Sequence, residues 1–522
     1  MDEANSRKRL LLIPLLAMGL FACDATSFQG ADTVDDSALV ELSIADLQAR
    51  MSEGQLSAEQ LVTVYLQRIE TYDKTGPALN AIQHLAEDAV AQAKLLDEER
   101  NTKGPRGALH GIPVLVKDNY ETRGMPTTAG SKLFAGFAPD RDATLVARLK
   151  NAGAIIIGKT TMHEFAYGIT TVGSAFELTR NPYALGRNPG GSSGGTGAAV
   201  AAGFASVGMG SDTCGSIRIP AAQNNLVGLR GTQGLSSRAG IVPLSSTQDI
   251  GGPIARSVHD LALVLEATVG YDPNDAQTEV MQAQPQPGYA QALAPVNNAR
   301  VGILTDWMIQ EPLDEPVANQ VRRALEAAAG AWSWQLVDLA SPAVNAALDR
   351  PWNGHLVLIN DFLMDINAYL EANPELGIAD LGDLVARGEH HPNVEESLTA
   401  SLSFATDPEG SLAAYEAEIA QREVVRGALL ALMLEHDLDA LAYPTIRRVA
   451  AAHGEEQQGT NCRLAANSGL PAISVPAGFV DDAGVEMPVG LEFLGQAFSE
   501  QTLLNLGLSV EKAFPQRRPP VF

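Results

Sequence analysis

Apolar positions recur at helical spacing through residues 42–52 and 58–72, with Ser43 and Ser57 placed to cap the two helices. Short apolar runs then alternate with helical stretches. A strand is predicted at 112–116, a helix near 142–151, the strand AIII at 154–157, a small-residue helix near 195–203 and the strand ASVGMG at 205–210. Further strands are expected at 300–304, 438–442, 472–475 and 488–494. This alternation predicts an α/β fold with a large central mixed, mostly parallel sheet covered by helices on both faces. Residues 340–436 break the rhythm: they are predominantly helical and interrupted by Pro351, Pro374, Pro392 and Pro408, which predicts a helical lid inserted before the sheet resumes.

The first residues follow a different logic. Arg7, Lys8 and Arg9 precede an apolar run from Leu10 to Ala22, too short to span a bilayer as mature structure, so residues 1–22 read as a secretion signal. The run ends in LFAC at 20–23, similar to a bacterial lipoprotein signal in which Cys23 is lipidated and tethers the chain to a membrane. Phe21 fits that pattern poorly, and an ordinary secretory cleavage nearby is the alternative. Residues 23–38 read as a polar tether and 39–522 as the folded domain, exported to the periplasm or cell envelope, or otherwise secreted.

Composition narrows the partners. The 522 residues include 62 acidic and 36 basic side chains, a net charge of −26, which argues against nucleic acid because phosphate backbones are held by clustered Lys and Arg. A hydrophobic fraction of 45% with 19% charged residues predicts a real core rather than disorder. Three cysteines cannot make a disulfide framework. No HExxH or CxxC occurs, and the adjacent His390 and His391 lie in a polar stretch, so no metal site is predicted.

The least ordinary stretch is NPGGSSGGTG at 188–197, followed by SDTCGSIRIPA at 211–221. Gly beside Ser lets a substrate carbonyl approach the main chain, and such density implies tight turns with exposed amide donors. A serine hydroxyl needs a base within hydrogen-bond reach, yet no His lies between His163 and His259. A lysine serves if burial keeps its amine neutral. Lys117 after VLV and Lys159 after AIIIG both end apolar strands, and patterning does not choose between them.

Other matches are weaker. GAIIIGKT at 153–160 satisfies the phosphate-loop pattern, but its middle residues are themselves a strand, so Lys159 reads as structural. Ser509 and Lys512 form an SxxK pair on an amphipathic C-terminal helix, expected at the solvated surface. His163 and Glu164 read equally as active-site neighbours and as a structural polar pair. GxSxG centred on Ser192 or Ser193 suits an α/β-hydrolase esterase with His453 as base, although no clear strand leads into it.

GIPVLVKDN at 111–119, GGSSGG at 190–195 and DTCGSIRIPA at 212–221 together resemble the amidase signature family, whose members hydrolyse linear carboxamides with a Ser, cis-Ser, Lys triad. The likeness continues through 225–260, DALAYPT at 439–445 and NSGLPAISVPAG at 467–478, and the closing PVGLEFLGQAFSEQTLLNL and RRPPVF look most like the peptide amidase branch. The resemblance implies Ser216 as acyl-forming nucleophile, Ser192 as bridging serine in a cis peptide with Gly191, and Lys117 as neutral base. It implies an oxyanion hole from the backbone amides of Thr213, Cys214, Gly215 and Ser216, braced by Asp212 and Arg218, with Ser193 hydrogen-bonded within that loop.

Cys214 stands where the family usually has glycine. Its side chain narrows the pocket or is a tolerated thiol, and would be strained if φ there is positive. A catalytic thiolate is disfavoured because no His lies nearby. No cofactor is implied. The expected substrate is a small-molecule or peptide amide, C-terminal peptide amides or related acyl amides foremost, selected by walls from the lid and from GMPTTAGS at 124–131. A catalytically silent tethered binding protein of the same fold is the other alternative, against which stand all three triad positions. A glutamyl-tRNA amidotransferase subunit shares the signature, but an exported chain would not meet its tRNA.

Overall fold

The first long helices start where their caps dictate: Ser43 Oγ accepts from the Asp46 N–H, and Ser57 forms a reciprocal box with Gln60, so helices run from Ile44 and from Ala58. The computed structural model describes residues 36–284, 288–349, 355–406 and 408–522. The secretion signal, Cys23, the tether up to residue 35 and Pro351 lie outside the described residues. A short helix at Asp36–Leu39, with Leu39 and Val40 buried, starts the packed domain slightly ahead of the expected boundary. Among the described residues no helix is long and apolar enough to cross a membrane.

Among the described residues eleven strands form one sheet: β1 Ile82–Leu85, β2 Pro113–Lys117, β3 Ile155–Thr160, β4 Val207–Asp212, β5 Val227–Arg230, β6 Ile250–Ala255, β7 Arg300–Leu304, β8 Gln335–Leu339, β9 Ala440–Pro444, β10 Ala472–Asp482 and β11 Val485–Leu494. Their order is β1-β3-β2-β4-β6-β5-β10-β11-β9-β7-β8. Every residue of β2, β3, β4, β6 and β9 is buried, which is why the expected strands β2, β3, β4 and β9 begin as continuous apolar runs rather than as alternations; β1, β5, β6 and β8 are strands that the apolar pattern does not predict.

The sheet is mixed, as expected, but its parallel share is smaller than the alternation implies. Parallel pairing is confined to two blocks, β3–β2–β4 and β9–β7–β8, and antiparallel pairing joins them. The β10–β11 pair shows why. The two strands extend toward each other through Asp481 and Glu486, and the two residues Ala483 and Gly484, both at positive φ, close a hairpin that forces antiparallel pairing.

Between β8 and β9 the chain is helical at Pro342–Leu348, His355–Ala372, Leu381–Ala386, Pro392–Thr406 and Pro408–Glu435. This lid docks through its own apolar cluster, in which Phe362, Ile366 and Leu370 pack with Phe134, Met162 and Phe165 of the body. Tyr167 meets Phe362 edge-on at 5.1 Å between ring centroids.

Candidate active site

Because β2 and β4 are parallel neighbours, their carboxyl ends open on the same edge of the sheet, the usual place for a site in such folds. Lys117 is the last residue of β2, and Ser211 and Asp212 are the last two of β4. The Lys117 amine is fully buried and hydrogen-bonded to Ser192 Oγ (2.6 Å) and Ser211 Oγ (2.8 Å). No carboxylate among the described residues forms an ion pair with it. Burial pulls its pKa down to about 7, against the opposing pull of the Asp249 and Asp212 charges.

The two lysines that patterning left equivalent therefore differ in surroundings. Lys159 is equally buried but lies 3.0 Å from Asp118 Oδ1 and donates to Pro126 O and Thr127 Oγ1, a matched internal ion pair. GAIIIGKT runs straight through β3, so no phosphate loop exists there.

The Gly191–Ser192 peptide is cis. Its loop is stapled by Thr171, whose hydroxyl donates to Gly190 O (2.7 Å) and accepts from Gly194 N–H (3.0 Å). Asn188 Oδ1 accepts from Gly190 N–H and Ser216 O accepts from Ser193 N–H, so these amides turn inward instead of standing exposed as glycine density suggested. The glycines permit close packing: a Cβ on Gly195 would sit 2.3 Å from Thr161 O. Ser193 Oγ donates to Ser211 O and accepts from Ser211 N–H, at the root of the following loop rather than within it. Thr171 and Ser211 had no assigned role in the sequence reading, and no local pattern marks Thr171.

The loop after β4 is held from beneath by charge. The Asp212 carboxylate accepts from Gly215 N–H (2.8 Å), Ile217 N–H, Arg218 and Arg230. Burial alone would raise its pKa, but the Arg218 and Arg230 charges outweigh that and hold it below the usual carboxylate range. Thr213 Oγ1 donates to Asp249, which also accepts from the Leu244 and Ser245 amides. Two expectations change here. Positive φ falls on Gly215 (φ 85°), not on Cys214, so Cys214 carries no backbone strain. The Gly215 N–H is engaged by Asp212, which trims the expected donor set to the amides of Thr213, Cys214 and Ser216, none of which meets an acceptor among the described residues.

Cys214 is not a free thiol: it forms a disulfide with Cys462, with the Cα atoms 5.0 Å apart. A partner 248 residues away leaves no local trace, so the sequence reading missed the bond. It also rules out a Cys214 thiolate as nucleophile.

Ser216 opens on a cavity of about 350 Å³. Its hydroxyl has no hydrogen-bond partner among the described residues. The walls combine apolar Tyr167, Ile169, Leu244 and Leu358 with polar Gln248 and Asn467. Leu358 and Ser397 come from the lid, as expected, whereas residues 124–131 do not line the cavity; they brace Asp118 and Lys159 instead. No metal-holding group of His, Cys, Asp and Glu occurs among the described residues.

Of the remaining motifs, His163 does border the candidate site: its backbone N–H donates to Ser192 O (3.0 Å), while its buried ring has its pKa lowered to about 3 by desolvation and is neutral. Glu164 takes a structural place, accepting from Ser174 and from His391 N–H. Ser509 is fully buried, accepting from Val296 N–H, which corrects its expected surface position. The esterase elbow lacks its strand: the chain entering Ser192 has no strand, and the backbone of His453 pairs with Gly186. Replacing His453 with alanine is accordingly expected to leave kcat/KM on an amide substrate within about twofold of the parent; loss of turnover would restore the esterase reading.

An amidase family model matches residues 60–504. The chain is 34% identical to a probable amidase from Arabidopsis thaliana, over 92% of each chain. It is likewise 34% identical to a glutamyl-tRNA(Gln) amidotransferase subunit from Synechococcus elongatus, over 90% of this chain and 98% of that one. Among solved structures, native peptide amidase from Stenotrophomonas maltophilia superposes with a TM-score of 0.82 at 36% identity, covering 92% of this chain and 99% of that one.

Proposed function

This chain belongs to the amidase family, and on that premise we propose that it cleaves C-terminal peptide amides or related acyl amides with Ser216 as nucleophile, Ser192 as bridge and Lys117 as base. It is a hydrolase acting on carbon–nitrogen bonds in linear amides. Ser216 Oγ bonds to the amide carbon while its proton passes to Ser192 Oγ, whose own proton goes to the Lys117 amine. The oxyanion is received by the vacant amides of Thr213, Cys214 and Ser216. The protonated relay returns a proton to the departing nitrogen, and water then releases the acid and regenerates Ser216.

One observation carries this reading: a buried amine with no carboxylate partner among the described residues, hydrogen-bonded to a serine one residue from the amide that meets Ser216 O. Similarity to the peptide amidase supports peptide amides as the substrate class, and the largely apolar cavity accommodates an acyl residue. Intact-protein mass spectrometry after a fluorophosphonate or a slow amide is the test. One adduct on Ser216 is expected, and an adduct on another residue refutes the assignment. Turnover of peptide, fatty and aryl amides then fixes the class.

We also infer export with a lipid tether on Cys23. The basic-then-apolar start and LFAC support it, as does the Cys214–Cys462 bond, since disulfides persist chiefly in oxidising compartments. Protein isolated from membranes of its host is expected to begin at an acylated Cys23; an unmodified chain beginning elsewhere rules the tether out.

A further inference from the structure

The Cys214–Cys462 disulfide forms part of the surface of the substrate cavity, since both half-cystines line it together with Ser216, Thr213 and Thr460. Each half sits on a segment held independently. Cys214 rides on the loop that Asp212, Arg218 and Arg230 anchor from beneath. Cys462 follows Asn461, whose amide donates to Trp307 O (3.0 Å) and to Pro444 O (2.8 Å) at the end of β9, and it precedes the helix Arg463–Ser468 that carries Asn467 into the cavity wall.

The two segments already touch at Gly215, where a Cβ would come within 2.9 Å of Cys462 Cβ and 2.7 Å of Ile219 Cδ1. Removing the sulfurs would therefore leave a void that neither anchored segment can close, since collapse would have to drag a charged cluster or a strand end with it. With glycine at 214, as the sequence resemblance makes usual, that space would belong to the substrate.

We propose that this cystine is the specificity-determining wall of the cavity: its bulk limits the size of the acyl group that can lie beside Ser216 and directs the enzyme to amides unbranched next to the carbonyl. The proposal rests on Ser216 as nucleophile. In a primary amide the departing group is only ammonia, so bulk near the reacting carbon lies on the acyl side, within the cavity that this cystine helps to line two residues from Ser216.

The test uses the full chain and an N-acyl peptide series ending in glycinamide, alaninamide or valinamide, with rates normalised to sites labelled by fluorophosphonate. The parent enzyme is expected to favour glycinamide over valinamide by about 10-fold or more in kcat/KM, and the paired substitution Cys214→Gly with Cys462→Ala to raise the valinamide-to-glycinamide ratio by about 10-fold. The paired change Cys214→Ser with Cys462→Ser keeps most of the bulk without the bond, and its ratio is expected within about threefold of the parent. A parent that does not discriminate, a ratio unmoved by the Gly/Ala pair, or an equal rise in both pairs overturns the proposal. The parent series needs no variant to fold. Absence of label on Ser216 in the parent refutes the nucleophile assignment instead, so the two failures are distinguishable.

Discussion

Replacing Ser216 with alanine is expected to lower amide turnover by on the order of 10⁶-fold and to abolish the covalent adduct, because removing a nucleophile disables the whole catalytic unit. Ser216 supplies a hydroxyl that faces the cavity with no hydrogen-bond partner among the described residues. Ser192 cannot replace it, being fully buried and held by Lys117. Ser193 is tied to the backbone of Ser211. Since the Ser216 hydroxyl holds nothing in place, the melting temperature is expected to stay near that of the parent. Stopped-flow or discontinuous assays with mass spectrometry check both halves; turnover within tenfold of the parent would place the nucleophile elsewhere.

Lys117→Ala is expected to cut kcat/KM by on the order of 10³-fold, within the range that general-base removal produces. The parent should show a distinctive pH dependence. Burial holds the Lys117 amine near a pKa of about 7, so the reactive neutral form is scarce below that pH and dominant above it. Activity should therefore rise with pH through neutrality and level off on the alkaline side. The residual activity of Lys117→Ala should lack this rise. A parent profile flat across neutrality, or falling with pH, would mean that the amine is not the base. Lys159→Ala is no equivalent control, because it strands Asp118, a buried carboxylate whose ion-pair partner is Lys159.

Much of the candidate site is legible in the sequence because its candidate residues are compressed into short segments. GGSSGG and DTCGSIRIPA place Ser192, Asp212, Ser216 and Arg218 within 27 residues, a spacing that the resemblance could match position by position. The same compactness misled where conformation mattered. Glycine density suggested exposed donors, yet Thr171, from an irregular segment earlier in the chain, draws that loop inward; four consecutive amides looked alike, yet Asp212 claims the third.

Seven of the eleven strands described, the first capped helices and the helical insertion before β9 follow from local pattern, since hydrophobic period and caps are encoded over a few residues, and the amidase family is marked by the resemblance of its short motifs; β1, β5, β6 and β8 carry no such local signal. Pairing direction, the separate fates of Lys117 and Lys159, the Cys214–Cys462 bond and the walls of the cavity belong to the packed chain. Each depends on which remote segment arrives beside a residue: Asp118 beside one lysine and serines beside the other, Cys462 against Cys214, residues 244–248 and 460–467 around Ser216. Burial and field at a point sum over neighbours far apart in the chain, and no window along the sequence contains them.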